Sequence, residues 1–266
     1  MLALLGGSFD PIHLGHLNNA NALFDDLSFD ALRFIPCGNH ALGKEFSVTE
    51  EHRLAMLELG ITGLSNANRI EIDLREIQSS AISYTVDTCR SIREELGVEQ
   101  SISLVVGQDV LGQLHRWDRW QSLLEWVNII VIFRPENRHT QYKALDEFPD
   151  GSNSGLLLLQ HLLASERADS DVSKLLLNRY INADDQVLRN YASGRVVCRR
   201  VGDIAISSSE IRVALKNFWA NSCSKSVFSE DGRKMGGQNA LSWPGAILDG
   251  LSDTCLLYTS PSPRDS

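Results

Sequence analysis

Short apolar runs alternate with longer segments of helical periodicity along most of this sequence. The runs lie at residues 1–5, 31–35, 69–74, 102–106 and 128–133, and residues 196–206 return to strand character near the end of the pattern. Each run has the length and composition of a buried strand. Strands that are separated by helices pair in parallel through crossover connections, which are right-handed in nearly all cases. The sequence therefore predicts an α/β fold with a doubly wound parallel sheet, helices on both faces and a ligand site beyond the carboxyl ends of the strands.

Four segments predict the helices of this fold. Apolar residues recur at helical spacing over residues 14–27, and a second helix opens at Thr49. The segment 84–96 ends at Gly97, the residue expected just past the end of a helix. The last predicted helix covers residues 207–218 and follows the final apolar run.

A glycine-rich turn ends the first apolar run. Gly6 and Gly7 are followed by Ser, Phe and Asp, and then by Pro11 and a helix start. Glycines let a backbone approach a phosphate closely while its amides point outward. His13 and His16 share one face of the first helical turn, beside the positive end of the helix dipole. Imidazoles in that position stabilise the charge that builds up during phosphoryl or nucleotidyl transfer.

Two other interpretations of this turn remain open from the residues alone. A double glycine often forms a tight turn with no ligand, and histidines often lie on the surface. The complete string from Gly6 to His16, placed between a strand and a helix, argues against that interpretation. The two histidines and Asp10 are also a ligand set for zinc, although the glycines would then have no purpose.

A second polar cluster occupies residues 206–212, where the last apolar run gives way to a helix. Ser207 and Glu210 have the spacing of a capping box. A helix N-terminus with several hydroxyls and Arg212 is also a ready anion site. Both interpretations remain open for the cluster alone. Three apolar residues after it are predicted to face the core: Ile211, Leu215 and Phe218.

Composition narrows the range of partners. The chain has 266 residues, with 25 Lys and Arg against 34 Asp and Glu, and no basic run. This balance argues against a polynucleotide partner. Five scattered cysteines without a Cys-x-x-Cys pair fit reduced thiols, and residues 1–5 are too short for a signal peptide or membrane span. We expect a cytoplasmic protein that binds neither nucleic acid nor membranes, either as a monomer or as a homo-oligomer.

The strand and helix pattern weakens in two places. Residues 135–195 are polar and only partly helical, and we interpret them as an insertion or lid within one domain at 1–218. Residues 219–266 have no sustained periodicity and a Ser- and Pro-rich finish, which looks like a translated sequencing adapter. We interpret 219–266 as a non-native or disordered tail.

The two polar clusters together resemble the signatures of the nucleotidylyltransferase superfamily. Those signatures are a His-x-Gly-His loop after the first strand and an Ile-Ser-x-Ser helix start, found here at 13–16 and 206–209. Within the superfamily, residues 1–216 most resemble bacterial nicotinate-nucleotide adenylyltransferases. The segments that carry this narrower resemblance are 73–77, 83–88, 107–109, Trp117, Trp120 and 133–135.

This resemblance implies a Rossmann-like sheet, an activity and a site. The activity is adenylyl transfer from ATP, carried with Mg²⁺, to nicotinate mononucleotide, giving nicotinate adenine dinucleotide and pyrophosphate in NAD biosynthesis. His13 and His16 are the implied catalytic residues, and no residue is implied as a metal ligand. The implied ATP-binding residues are Gly6, Gly7, Ser8, Phe9, His13, His16, Ile206, Ser207, Ser209 and Arg212. The implied acceptor-binding residues are Lys44, Thr85, Gly107, Asp109, Trp117 and Arg134.

The chemistry of these side chains agrees with the implied roles. An indole stacks on a pyridine ring, a guanidinium pairs with a carboxylate or phosphate, and a carboxylate accepts ribose hydroxyls. Structural interpretations remain beside them: Trp117 and Trp120 also fit a helix core, and Arg75 with Glu76 fits a solvated pair. Other acceptors, such as nicotinamide mononucleotide or phosphopantetheine, and a non-catalytic nucleotide-binding role are the competing functions.

One segment departs from the family pattern. The family usually has Pro-Pro-His-Lys after the second strand, whereas this chain continues from Cys37 to Lys44 without those prolines. We hypothesise that His40 and Lys44 replace the missing basic contact.

Overall fold

Six parallel strands form one sheet in the described part of the chain. The computed structural model describes residues 1–25, 27–38, 46–133, 154–182, 185–200 and 208–223. The strand order is β3-β2-β1-β4-β5-β6, so the predicted doubly wound α/β fold is confirmed. The strands are β1 (Leu2–Gly7), β2 (Ala31–Pro36), β3 (Ile70–Ile72), β4 (Ile102–Gly107), β5 (Asn128–Phe133) and β6 (Val196–Arg200).

Eight α-helices accompany the strands within the same ranges. They are α1 (Leu14–Asp25), α2 (Glu50–Thr62), α3 (Thr85–Leu96), α4 (Leu123–Trp126), α5 (Ser154–Ser165), α6 (Ser170–Arg179), α7 (Asp185–Arg189) and α8 (Ser208–Cys223). Helix α3 ends before Gly97, whose φ of 84° is a conformation that favours glycine. Helix α8 runs beyond its predicted end at residue 218. None of the described helices is long and apolar enough to cross a membrane.

The register of the central strands brings their carboxyl ends to one edge of the sheet. Gly6 pairs with Ile35 and Gly7 with Pro36, so β1 and β2 end together. Strand β4 lies on the other side of β1 and ends at Gly107. The strand order reverses between β1 and β4, and ligands of doubly wound sheets bind at such a point.

Each face of the sheet is covered by its own apolar core. Alternation along β1 divides its side chains, because Ala3 and Leu5 belong to one core and Leu2 and Leu4 to the other. Helices α1, α2 and α8 cover the first core, and α3, α4, α5 and α6 cover the second. Trp120 is buried in the second core, as the structural interpretation of that residue expects.

Helices α5 and α6 belong to the connection between β5 and β6. Leu159 and Leu162 of α5 and Val172 of α6 are fully buried in the second core. The described part of 135–195 therefore packs into the same α/β unit as the sheet. The domain limits drawn from the sequence remain predictions, and so does the interpretation of 219–266, of which only residues 219–223 at the end of α8 are described.

Glu76 links the end of β2 to helix α3. Thr88 of α3 donates a hydrogen bond of 2.7 Å from its hydroxyl to Glu76 Oε1. Gly38 packs against the same segment, because a Cβ there would lie 2.1 Å from the Glu76 carbonyl oxygen. Arg75 pairs with Asp73 and Glu95 rather than with Glu76, so the alternative interpretation of Arg75 and Glu76 as a solvated pair is wrong. Burial raises the pKa of Glu76 above its ordinary value.

The raised pKa predicts that Glu76→Gln increases the thermal stability of the fold by an amount that depends on pH. A folded pKa above the unfolded one means that Glu76 destabilises the fold as the pH rises through its folded pKa. Glutamine keeps an oxygen for Thr88 and carries no charge, so the variant should melt at a higher temperature than the wild type at pH 8. The gain should shrink towards pH 4.5. Glu99→Gln, at an exposed position, is the control, and equal melting of wild type and Glu76→Gln at pH 8 would contradict the prediction.

The packing of α5 predicts that replacing two of its leucines by alanine lowers the free energy of unfolding by different amounts. Leu162 is fully buried and Leu157 is 41% exposed. Leu162→Ala should lower the free energy of unfolding by about 2–5 kcal/mol, because it leaves a cavity in the core. Leu157→Ala should cost less than about 1 kcal/mol. Urea denaturation measures both, and two equally small effects would indicate that α5 is only loosely attached.

Candidate active site

The glycine turn lies at the carboxyl end of β1, beside the point where the strand order reverses. Gly6 is exposed, and among the described residues no heavy atom would lie within 4 Å of a Cβ built there. A Cβ on Gly7 would lie 3.0 Å from the Phe9 ring. Gly6 therefore borders open space at the crevice, and Gly7 allows Phe9 to pack closely beneath the turn.

Phe9 anchors the turn in the first core. Its side chain is buried, and its ring meets His16 and Phe34 edge to face at centroid distances of 5.2 and 5.3 Å. Its φ of 43° is in the left-handed region, which is strained for a residue other than glycine. Burial of the ring holds the backbone in this conformation.

His13 and His16 stack on each other at the start of α1. Their ring centroids are 3.8 Å apart and the ring planes are tilted by 30°. The His13 carbonyl accepts the amides of His16 and Leu17, at 2.9 and 3.2 Å, so the helix begins at this residue. His13 is buried and His16 is half-buried. The predicted shared face of the two imidazoles, beside the helix N-terminus, is what the structure shows.

Helix α8 docks on the turn that follows the glycines. Arg212 donates from Nη1 to the Asp10 carbonyl and from Nη2 to Ser209 Oγ, the latter at 3.0 Å. Ser208 donates its hydroxyl to the Pro11 carbonyl at 3.0 Å, and the Asp10–Pro11 peptide is cis. The two polar clusters, about 200 residues apart in sequence, are therefore in direct contact. Ile211 is buried and Leu215 packs beside it, as predicted.

The buried carboxylate of Asp10 is engaged within the protein. It accepts the Ser47 amide at 2.7 Å, and its Oδ2 lies 3.9 Å from Arg212 Nη1. No group of three His, Cys, Asp or Glu side chains that could hold a metal ion occurs among the described residues.

Four acceptor residues predicted from the sequence lie in the described part of the chain, and two of them lie at the end of β4. Gly107 ends the strand, and Asp109 folds back over it, because a Cβ on Gly107 would lie 2.4 Å from Asp109 Oδ1. Trp117 follows a short 3-10 turn at Leu114–Arg116 and is half-buried against the second core. Thr85 is the first residue of α3 and is also half-buried.

An ion pair that the sequence analysis missed connects the helical turn that begins at Thr85 to the loop that contains Trp117. Arg119 donates two hydrogen bonds to the carboxylate of Asp87, at 3.0 and 2.6 Å. These hydrogen bonds lower the pKa of Asp87. Each partner lies two residues beyond a predicted acceptor residue, so the bidentate pair ties the Trp117 loop to the start of α3.

Arg53 of α2 is the second residue that the sequence analysis missed as part of the site. Its guanidinium donates to the carbonyls of Ser8 and Cys37, both at 2.8 Å. The signal was present in the sequence, because Arg53 occupies a core position on the helix. The buried positions of α2 are Arg53, Met56, Leu57, Gly60 and Ile61, which are spaced as one face of a helix.

Several predicted site residues lie outside the described part of the chain. They are Lys44, Arg134, Ile206 and Ser207, together with His40 of the hypothesised basic contact. Their roles remain predictions.

Comparisons with known proteins agree with this geometry. The cytidylyltransferase-like family model matches residues 4–214. A probable nicotinate-nucleotide adenylyltransferase of Cellvibrio japonicus is 40% identical over 134 residues, which are 50% of this chain and 62% of that protein. The chain thus spans less than two thirds of that relative. A protein of the same name from Dechloromonas aromatica is 33% identical over 216 residues, covering 81% of this chain and 87% of that protein.

A solved structure shares the fold. The nicotinic acid mononucleotide adenylyltransferase of Plasmodium falciparum, complexed with NaAD, matches with a TM-score of 0.57 and 16% sequence identity. The match covers 97% of this chain and 93% of that chain. Because the family model spans most of the sequence and the Dechloromonas relative aligns over most of its length, the chain belongs to the cytidylyltransferase-like family, and its predicted resemblance to the nicotinate-nucleotide adenylyltransferases is confirmed.

Proposed function

We propose that this chain transfers the adenylyl group of ATP to nicotinate mononucleotide. The contact between the two polar clusters carries the proposal. Stacked imidazoles at one helix start and the hydroxyls and guanidinium at another border the glycine turn. Two helix N-termini at the carboxyl edge of a parallel sheet favour an extended anion such as a triphosphate.

The reaction is an in-line displacement at phosphorus. The phosphate oxygen of nicotinate mononucleotide attacks the α-phosphorus of ATP, the bond to the β-phosphate oxygen breaks, and pyrophosphate leaves. The products are nicotinate adenine dinucleotide and pyrophosphate. The protein supplies no covalent nucleophile, so its contribution is the positioning of two nucleotides and the stabilisation of charge.

The residues of the turn have distinct tasks in this proposal. The amides between Gly7 and Phe9 hold the triphosphate, and His13 and His16 neutralise the charge that moves onto the leaving pyrophosphate. Mg²⁺ would enter with ATP as part of the substrate and would supply charge neutralisation at the phosphates. Ser209 and Arg212 contact ATP from the side of α8, within reach of the same turn.

The acceptor lies across the crevice, at the end of β4. Trp117 stacks on the pyridine ring, Thr85 lines the pocket, and Asp109 above Gly107 accepts hydrogen bonds from a ribose. The Asp87–Arg119 pair supports this assignment, because it holds the Trp117 loop at the start of α3. The proposed location is the cytoplasm, as the scattered cysteines predict.

Pyrophosphate release with different acceptors tests the reaction. With ATP and Mg²⁺, nicotinate mononucleotide should give the highest kcat/KM of three acceptors, the others being nicotinamide mononucleotide and phosphopantetheine. A preference for either of the others would replace the proposed acceptor. Binding of ATP without pyrophosphate release from any of the three would favour a non-catalytic nucleotide-binding protein.

Replacement of His16 tests the catalytic role of the stacked pair. His16→Ala should lower kcat by about 10²–10³-fold, as the loss of one oriented group that stabilises transition-state charge does elsewhere. The melting temperature should stay close to that of the wild type, because His16 is only half-buried. His161→Ala, at an exposed position on α5, is the control. Near-normal turnover of the folded His16→Ala protein would refute the role.

A further inference from the structure

Arg53 is a buried cation that joins the ends of the two strands beside the glycine turn. Its side chain is 0% exposed. It donates to the carbonyl of Ser8, which follows β1, and to that of Cys37, which follows β2. The ring of Phe46 covers the guanidinium at 3.9 Å from its centroid. Cys37 in turn donates its amide to the Gly7 carbonyl at 2.9 Å. Arg53 therefore bridges the backbones of β1 and β2 at their carboxyl ends.

The charge of Arg53 is not neutralised by a direct partner in the described ranges. Its hydrogen-bond acceptors are neutral carbonyls, and the carboxylates of Asp10 and Glu50 attract it through space without forming a described ion pair with it. Burial lowers the pKa of Arg53, yet a guanidinium stays protonated in proteins. A full positive charge is therefore held in a poorly solvated position directly under the turn, where it interacts more strongly with an anion than it would in water.

The hydrogen bond to Ser8 also sets the direction of the next amide. In a trans peptide the carbonyl and the following N–H point in opposite directions. Because Arg53 holds the Ser8 carbonyl on the α2 side, the Phe9 N–H points away from that side. Phe9 is one of the residues whose amides are proposed to hold the triphosphate, and its φ of 43° makes this orientation one that needs support.

Arg93 is a second buried arginine that donates hydrogen bonds to backbone carbonyls, and it lies away from the candidate site. It is also buried, and it donates to the carbonyls of Gly97, Gln100, Trp126 and Ala192. Three of these, Gln100, Trp126 and Ala192, precede or neighbour the amino-terminal ends of β4 and β5. Arg93 is thus a buried arginine bonded to backbone carbonyls at the opposite edge of the sheet, and it provides a matched comparison for Arg53.

We propose that Arg53 is a positioning residue for ATP: it orients the backbone of the glycine turn and adds a buried positive charge beneath the triphosphate. The proposal rests on the proposed function for the identity of the ligand. It assigns ATP affinity, rather than acceptor affinity, to a side chain that does not touch ATP.

Comparison of Arg53→Lys with Arg93→Lys tests this assignment. Lysine keeps the charge at each position but donates from a single nitrogen, so both variants should lose thermal stability. Isothermal titration with Mg²⁺ and α,β-methylene-ATP measures nucleotide binding without turnover. Arg53→Lys should weaken binding about ten-fold, as expected for the loss of one oriented charged hydrogen bond. Arg93→Lys should bind the analogue like the wild type, and the KM for nicotinate mononucleotide should be unchanged in both.

Two results would overturn the proposal. Wild-type affinity for the analogue in folded Arg53→Lys would limit Arg53 to a structural role, and so would an equal loss of affinity in both variants. If Arg53→Lys does not fold, Phe46→Leu replaces it, because this change keeps the hydrogen bonds of Arg53 and admits water to its charge. Phe46→Leu should weaken analogue binding about two- to three-fold, and unchanged binding would equally overturn the proposal.

The same experiment separates this proposal from the proposed function. Wild-type protein that binds the analogue but releases no pyrophosphate with nicotinate mononucleotide contradicts the proposed reaction and leaves the Arg53 comparison intact. The opposite result is also informative. If the wild-type protein releases pyrophosphate with nicotinate mononucleotide but the two lysine variants bind the analogue equally well, the proposed reaction is supported and the proposed role of Arg53 is not.

Discussion

The reversal of strand order between β1 and β4 is the constraint on which the site depends. The chain moves outward from β1 to β2 and β3, and then returns to place β4 on the other side of β1. The loops after β1 and β4 therefore diverge and leave a crevice at the carboxyl edge. The glycine turn occupies one wall of this crevice, and Gly107 with Asp109 occupies the other. The two nucleotides of the proposed reaction can be held on these opposite walls.

Several buried contacts act together to fix the shape of the glycine turn. The left-handed conformation of Phe9 costs of order 1–3 kcal/mol by itself. The ring of Phe9 is buried against Phe34, and the Asp10 carboxylate accepts a hydrogen bond from the Ser47 amide. Side chains of α8 donate hydrogen bonds to the carbonyls of Asp10 and Pro11. A strained loop that is over-determined in this way needs little reorganisation when a phosphate binds, and such preorganisation favours both binding and catalysis.

The acceptor wall is organised differently. Thr85 and Trp117 lie on the first turn of a helix and on a loop, and a bidentate ion pair between Asp87 and Arg119 connects them. Both partners are partly exposed, so this connection is weaker than the buried contacts beneath the glycine turn. The structure thus combines a more rigid wall at the glycine turn with a more adaptable wall at the proposed acceptor residues.

The sequence by itself determined the strands, the main helices and the residues that are proposed to bind a phosphate. These properties are local: the spacing of apolar residues specifies strand or helix, and the glycine turn with His13 and His16 fits within one strand-to-helix connection. Only the tertiary structure revealed the roles of Arg53 and Arg119, which act on residues 45 and 32 positions away in the chain. It also brought α8 onto the glycine turn across 202 positions. Periodicity records which side of an element is buried, but the partner of a buried charge depends on which elements pack together, and that is decided when the whole sheet forms.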